Sequence, residues 1–196
     1  AAIFRARDLR EVAALIEQAA TASGLQRSDM RHIDTDQPAP LSLMQQRVWF
    51  MEQIAPGTAT YNIASVHRLR GTLNLKTFEN AVNDFILAHE ALRTTVNVSG
   101  TGVLTQRILK SLRLRLRQVE SLSGPSREQI ESRLSQRLQE FIAQPFDLQV
   151  GPLVRARVFS LGANEHAFAL VIHHLVVDGK SMQMAIAEIL ERSEEH

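Results

Sequence analysis

Ala167 to Ile172 form an unbroken apolar run, and two histidines, His173 and His174, follow it at once. A continuous apolar stretch of this length reads as a strand buried on both faces. Such a strand seldom ends in two titratable rings. Neighbouring strand residues point to opposite faces, so one imidazole is expected inside the fold and the other on a surface or channel. Asp178 lies four residues past His174, and Gly179 follows it. Glycine permits a sharp turn, which would fold the carboxylate back beneath the rings, to fix an imidazole tautomer or to steady the loop. Two readings fit these residues taken alone. One is a site where a histidine handles a proton; the other is a solvated histidine pair at a strand end.

The elements that must position this pair can be traced along the chain. Asp8 and Glu11 make a capping box for a helix over 8–20, with Leu9, Val12, Ala13, Ile16 and Ala19 on one face. Residues 21–40 are polar, contain Gly24, Pro38 and Pro40, and lack periodicity, as a linker does. A second domain then begins. Ser42 and Gln45 open a helix through about Glu52, and a strand is expected over 61–70. Asn74 caps a helix whose inner face carries Phe78, Ala81, Val82, Phe85, Ile86 and Leu92, while Asn83 and Asp84 fall on its polar face. Strands are expected at 94–98, 103–109 and 112–119, with a turn at 99–102. A helix opens at Ser126 and stops before Pro145. Strands at 153–161 and 166–174 form a hairpin around Gly162 to Asn164, and a last helix runs from Ser181 to about Arg192. Mixed helices and strands with an antiparallel hairpin give an α+β class.

Composition narrows the function. Among 196 residues, 44% are hydrophobic, 22% are charged and the formal net charge is +1, an ordinary globular balance. A nucleic-acid binder would concentrate a basic excess. There is no cysteine, hence no disulfide or thiolate metal site, which suits a reducing cytoplasm. No apolar run reaches membrane-spanning length. The first residues lack the order of a signal peptide, and both ends read as cut. His32 and His196 lack metal-ligand spacing, and His67 and His166 read as surface residues. Trp49 and Phe50 are expected in the core. Arg113, Arg115 and Arg117 alternate with Leu112, Leu114 and Leu116; a strand with one wet face accounts for them better than a docking strip for an anionic carrier.

His173-His174-Leu175-Val176-Val177-Asp178-Gly179 reads HHxxxDG, and with it the chain resembles the condensation domains of nonribosomal peptide synthetases. Four further segments match in order. LSLMQQRVWF at 41–50 is similar to the family's opening SxAQxRLW, and ATYNIA at 59–64 to its YNIP. HEALRTT at 89–95 resembles RHExLRTxF, and PFDLQVGPLVRA at 145–156 resembles PFDLxxGPLxRA. Residues 3–17 look like the last helix of a peptidyl carrier domain. The expected organisation is a carrier helix at 1–20, a linker at 21–38 and the N-terminal lobe of a condensation domain at 39–196. Three positions depart from the pattern: Ala88 replaces an arginine, Ala64 a proline and Lys180 a tryptophan.

The resemblance implies a chloramphenicol-acetyltransferase-like lobe, one of two that enclose a channel. Donor and acceptor would arrive as thioesters on the 4'-phosphopantetheine arms of upstream and downstream carrier domains, and an amide would form. His174 would be the catalytic histidine, as base or as a positioning group. His173 and Asp178 would be structural, Asp178 paired with Arg93, and the N–H of Gly179 would face the developing oxyanion. No cofactor is expected on this chain itself, since the serine that bears the arm would lie upstream of Ala1. With the second lobe missing, the chain alone is expected to be inactive. Rival readings are a coenzyme A-dependent acyltransferase, an epimerization domain, which shares HHxxxDG, and a non-catalytic fragment that docks carriers.

Overall fold

The apolar run before the histidines becomes the centre of a sheet. In the computed structural model, which describes residues 39–116 and 120–194 with Arg10, Ala13 and Ala14, the chain divides into two compact units, Ala1–Asp34 and Thr35–His196. In the first unit Arg10, Ala13 and Ala14 are helical and exposed, including Ala13, which was expected on the apolar face. The rest of the helix expected over 8–20, and the linker at 21–38, lie outside the described residues.

The second unit runs β1 (Ala39–Pro40), α1 (Leu43–Ile54), β2 (Asn62–Arg70), α2 (Leu75–Ala88), a short 3-10 turn (Glu90–Arg93), β3 (Thr94–Val98) and β4 (Leu104–Ile108). Then follow β5 (Glu120–Ser121), α3 (Arg127–Ile142), β6 (Val154–Gly162), β7 (Glu165–His173) and α4 (Gly179–Glu194). The strands form two sheets, of order β1-β4-β3 and β2-β7-β6-β5. The pairings of β7 with β2 and with β6 are antiparallel, and β5 runs parallel to β6.

β7 is sandwiched, which is why its sequence is apolar from Ala167 to Ile172. Phe168, Leu170 and Ile172 face a core built from α2 and α4, with Phe78, Val82, Ile86, Ile186 and Ile189. Ala167, Ala169 and Val171 face the opposite side, against Leu134 and Phe141 of α3. The small alanines on that side leave room for the phenylalanine ring. A third cluster joins Trp49 of α1 to Leu41, Val96, Leu148, Leu153 and Leu175, and so ties α1 to the segment just past β7. Gly151 packs beside it at φ +66°, where a Cβ would lie 2.7 Å from Thr95 Cγ2. Only glycine tolerates both the dihedral and the approach.

The helix caps are those the sequence encodes. Ser42 and Gln45 form a reciprocal capping box on α1, Asn74 caps α2 and Ser126 caps α3. Several expectations are corrected. Leu112–Leu116 alternates in burial but joins no ladder; Arg113 and Arg115 are exposed as expected, and Arg117 lies outside the described residues. The segment is held by α2 instead. Asn83, expected on a polar face, is buried, donates to Leu114 O at 2.9 Å and accepts from Leu114 N–H at 2.7 Å. Glu79 accepts from Leu116 N–H at 2.7 Å. Side chains of a helix thus take the place of a neighbouring strand. Phe50, expected in the core, is 62% exposed, while Trp49 is buried. His67 and His166 are half-buried rather than on the surface, and His67 bonds Ser65 Oγ at 2.7 Å.

Candidate active site

The two histidines part at the end of β7 as strand alternation requires. His173, the last strand residue, is 1% exposed, with the rings of Phe146 and Tyr61 at 6.0 and 6.2 Å. His174 is exposed, and its N–H donates to Tyr61 O at 2.8 Å, extending the ladder with β2 by one bond. The chain then turns back, with Val176 N–H donating to His173 O at 3.0 Å.

Hydrogen bonds assign both tautomers. Leu175 N–H donates to His173 Nδ1 at 3.1 Å, so that nitrogen is an acceptor and Nε2 carries the proton. Nε2–H then donates to Glu52 Oε1 at 3.2 Å. Burial pushes the His173 pKa below its ordinary value, against the pull of Glu52, and the ring is neutral, as the accepting Nδ1 demands. On His174 the assignment is reversed. Nδ1 lies 2.9 Å from Val177 O; a carbonyl can only accept, so Nδ1 carries a proton, and in the neutral ring the lone pair is on Nε2.

His174 lines an open groove of about 790 Å³ with Ser42, Gln45, Arg47, Tyr61 and Asp178. One wall is α1. Gln45 reaches from it to Leu175 O at 3.4 Å and to Gln106 Oε1 at 3.2 Å. No group of three or more His, Cys, Asp or Glu side chains among the described residues has the arrangement of a metal site.

The expected pairing of Asp178 with Arg93 is not what the structure contains. Asp178 is exposed and caps α4, accepting from Ser181 N–H at 2.7 Å. That N–H, with help from the Ser181 hydroxyl and Lys180 N–H, holds the carboxyl below its usual range. The cap also starts α4 at Gly179, two residues before the expected Ser181. Arg93 is buried and donates to Leu109 O and, at 3.3 Å, to Leu87 O. The physical reason is local. A carboxylate at a helix start finds free N–H groups within three residues, and a buried guanidinium finds carbonyls in the turns around it.

Glu52 is the residue that sequence reasoning missed. It is 8% exposed and bonds across 121 positions to His173. One signal was present: Gln45, Trp49 and Glu52 lie at i, i+4 and i+7 on one face of α1, and Glu52 is the only acid of that helix. A lone acid beside a buried tryptophan calls for a buried partner.

Residues 35–192 match the family described as Condensation domain. The chain is 36% identical over 180 residues to one of the subunits of linear gramicidin synthase from Brevibacillus parabrevis, covering 91% of this chain and 2% of that protein. It is 30% identical over 188 residues to surfactin synthase subunit 2 of Bacillus subtilis (strain 168), covering 96% of this chain and 5% of that protein. The starter condensation domain of rhizomide synthetase RzmA has the same fold over 80% of this chain and 37% of its own, with a TM-score of 0.72 and 22% identity. The chain therefore spans a small part of the curated relatives it matches and well under half of the solved domain. With the family matched over most of its length and the chloramphenicol-acetyltransferase-like fold shared with that domain, the chain belongs to the condensation-domain family of the nonribosomal peptide synthetases.

Proposed function

We propose that His174 is the catalytic histidine of an amide-forming reaction between two carrier-bound thioesters. The acceptor's amine attacks the carbonyl carbon of the donor thioester. A C–N bond forms, the C–S bond breaks and the departing thiolate takes up a proton. The observation that carries this reading is the tautomer of His174. Its Nδ1–H is engaged by Val177 O, so Nε2 offers a lone pair to the groove, where it would accept or orient the proton of the attacking amine. Gly179 opens α4, where backbone N–H groups and the helix dipole favour negative charge, and we assign its N–H to the developing oxyanion. His173, Asp178 and Arg93 serve the frame around His174.

On this reading the substrates ride on 4'-phosphopantetheine arms of an upstream and a downstream carrier domain, and residues 3–17 are the end of a carrier. The groove is one wall of a channel whose other wall belongs to a second lobe. No helix among the described residues is long and apolar enough to cross a membrane, and we place the reaction in the cytoplasm. The test uses a complete condensation domain with loaded carriers. His174→Ala should lower amide formation by about 10²–10⁴-fold, the usual worth of a placed proton-transfer group, at an unchanged melting temperature because the side chain is exposed. Near-normal turnover in that variant would sink the assignment. The chain of 196 residues alone should give no amide product, because one wall cannot align two tethered substrates.

A further inference from the structure

We infer that Glu52 is a positioning residue for His174: by taking the Nε2–H of His173 it leaves Nδ1 to accept from Leu175 N–H, which fixes the turn whose Val177 carbonyl sets the tautomer of His174. The inference rests on the reading of His174 as the reacting side chain.

Each link is a bond in the structure. Glu52 Oε1 and His173 Nε2 are 3.2 Å apart, and Leu175 N–H reaches His173 Nδ1 at 3.1 Å. A neutral imidazole has one donor and one acceptor nitrogen, so these two bonds require each other. Were Nδ1 to carry the proton, it would oppose the Leu175 N–H and leave the carboxylate without a donor. The ring is 1% exposed and lies between Phe146 and Tyr61, so no bulk water can replace a lost partner. In such surroundings a satisfied network is rigid and a broken one is costly. The turn bonds at 3.0 Å from Val176 N–H to His173 O and at 2.9 Å from His174 Nδ1–H to Val177 O complete the chain from α1 to the reacting ring. Gln45, two turns before Glu52 on α1, holds Leu175 O at 3.4 Å, so the helix grips the turn at both ends.

The alternative is that Glu52 only contributes to folding. Imidazole nitrogen resonances of the ¹⁵N-labelled chain, recorded at alkaline pH where both rings are neutral, separate the two. In the wild-type chain we expect His173 protonated at Nε2 and His174 at Nδ1. A wild-type His173 protonated at Nδ1 would overturn the inference before any variant is made. Glu52→Met keeps the bulk and removes the acceptor; His174 should then lose its Nδ1–H and move to the Nε2–H form that free histidine prefers. Glu52→Gln, whose amide oxygen can still accept, should restore the wild-type tautomer. A folded Glu52→Met chain with His174 unchanged would refute the positioning role. If that variant does not fold, Glu52→Asp, which withdraws the acceptor by one methylene, carries the same expectation. Since no turnover is measured, a failure here is distinct from a failure of His174→Ala to lose activity.

Discussion

Asp178 stands four residues from the proposed catalytic histidine, yet its bond is to the first turn of α4. Asparagine caps a helix as well as aspartate does. Asp178→Asn should therefore melt close to wild type, and Asp178→Ala should melt a few degrees lower while remaining folded. Arg93, bonded to Leu109 O and Leu87 O, should behave independently. In a double-mutant cycle of Asp178→Ala with Arg93→Met, measured by urea denaturation, the coupling energy should be indistinguishable from zero; a clear positive coupling would restore the ion pair that the sequence suggested. Four residues show what was legible and what was not. The opposed fates of His173 and His174 follow from strand alternation, a strictly local rule. The partner of Arg93 was not legible, because backbone carbonyls leave no mark on residue type. Nor was the partner of Glu52, which lies 121 positions away, although the residue's place beside Trp49 on α1 hinted that it needed one.

At the scale of elements, alternation was again read correctly but its cause was not. Leu112, Leu114 and Leu116 turn inward and Arg113 and Arg115 outward, as in a strand, but the hydrogen bonds come from Asn83 and Glu79 of α2. Asn83→Ala strands the Leu114 N–H and C=O in a part-buried site, and should cost about 1–3 kcal/mol in chemical denaturation. Faster hydrogen exchange at Leu114 should accompany it; an unchanged midpoint would mean that water takes over both bonds. A second tie joins β2, β7 and α3. Glu165 accepts from Arg127 at 2.7 Å and from Arg68 at 2.9 Å, and Arg68 also bonds Glu131. The hydrogen bond from Arg127, helped by Arg68, lowers the Glu165 pKa from 4.5 to about 2. Such a carboxylate contributes fully above pH 4.5 and ceases to contribute as the pH falls to about 2. The melting temperature should drop across that window, and Glu165→Gln should flatten the drop; an equally steep curve in the variant would assign it to other carboxylates.

For the molecule as a whole, the order of five short motifs was enough to identify the domain, since each marks a place where backbone or packing leaves few choices. Gly151 against Thr95 and the histidine turn are two of them. How the larger sheet ends was not legible in any motif. β2 has β7 as its only strand partner among the described residues, so the other edge of this nine-residue strand is unpaired by any strand among them. An open edge of this length is a template for strand addition. Arg68 is taken up by Glu165 and Glu131, which leaves the exposed Arg70 as the charge next to Leu69, while Val66 is 41% exposed. Self-association of this chain at high concentration is therefore expected to begin along β2.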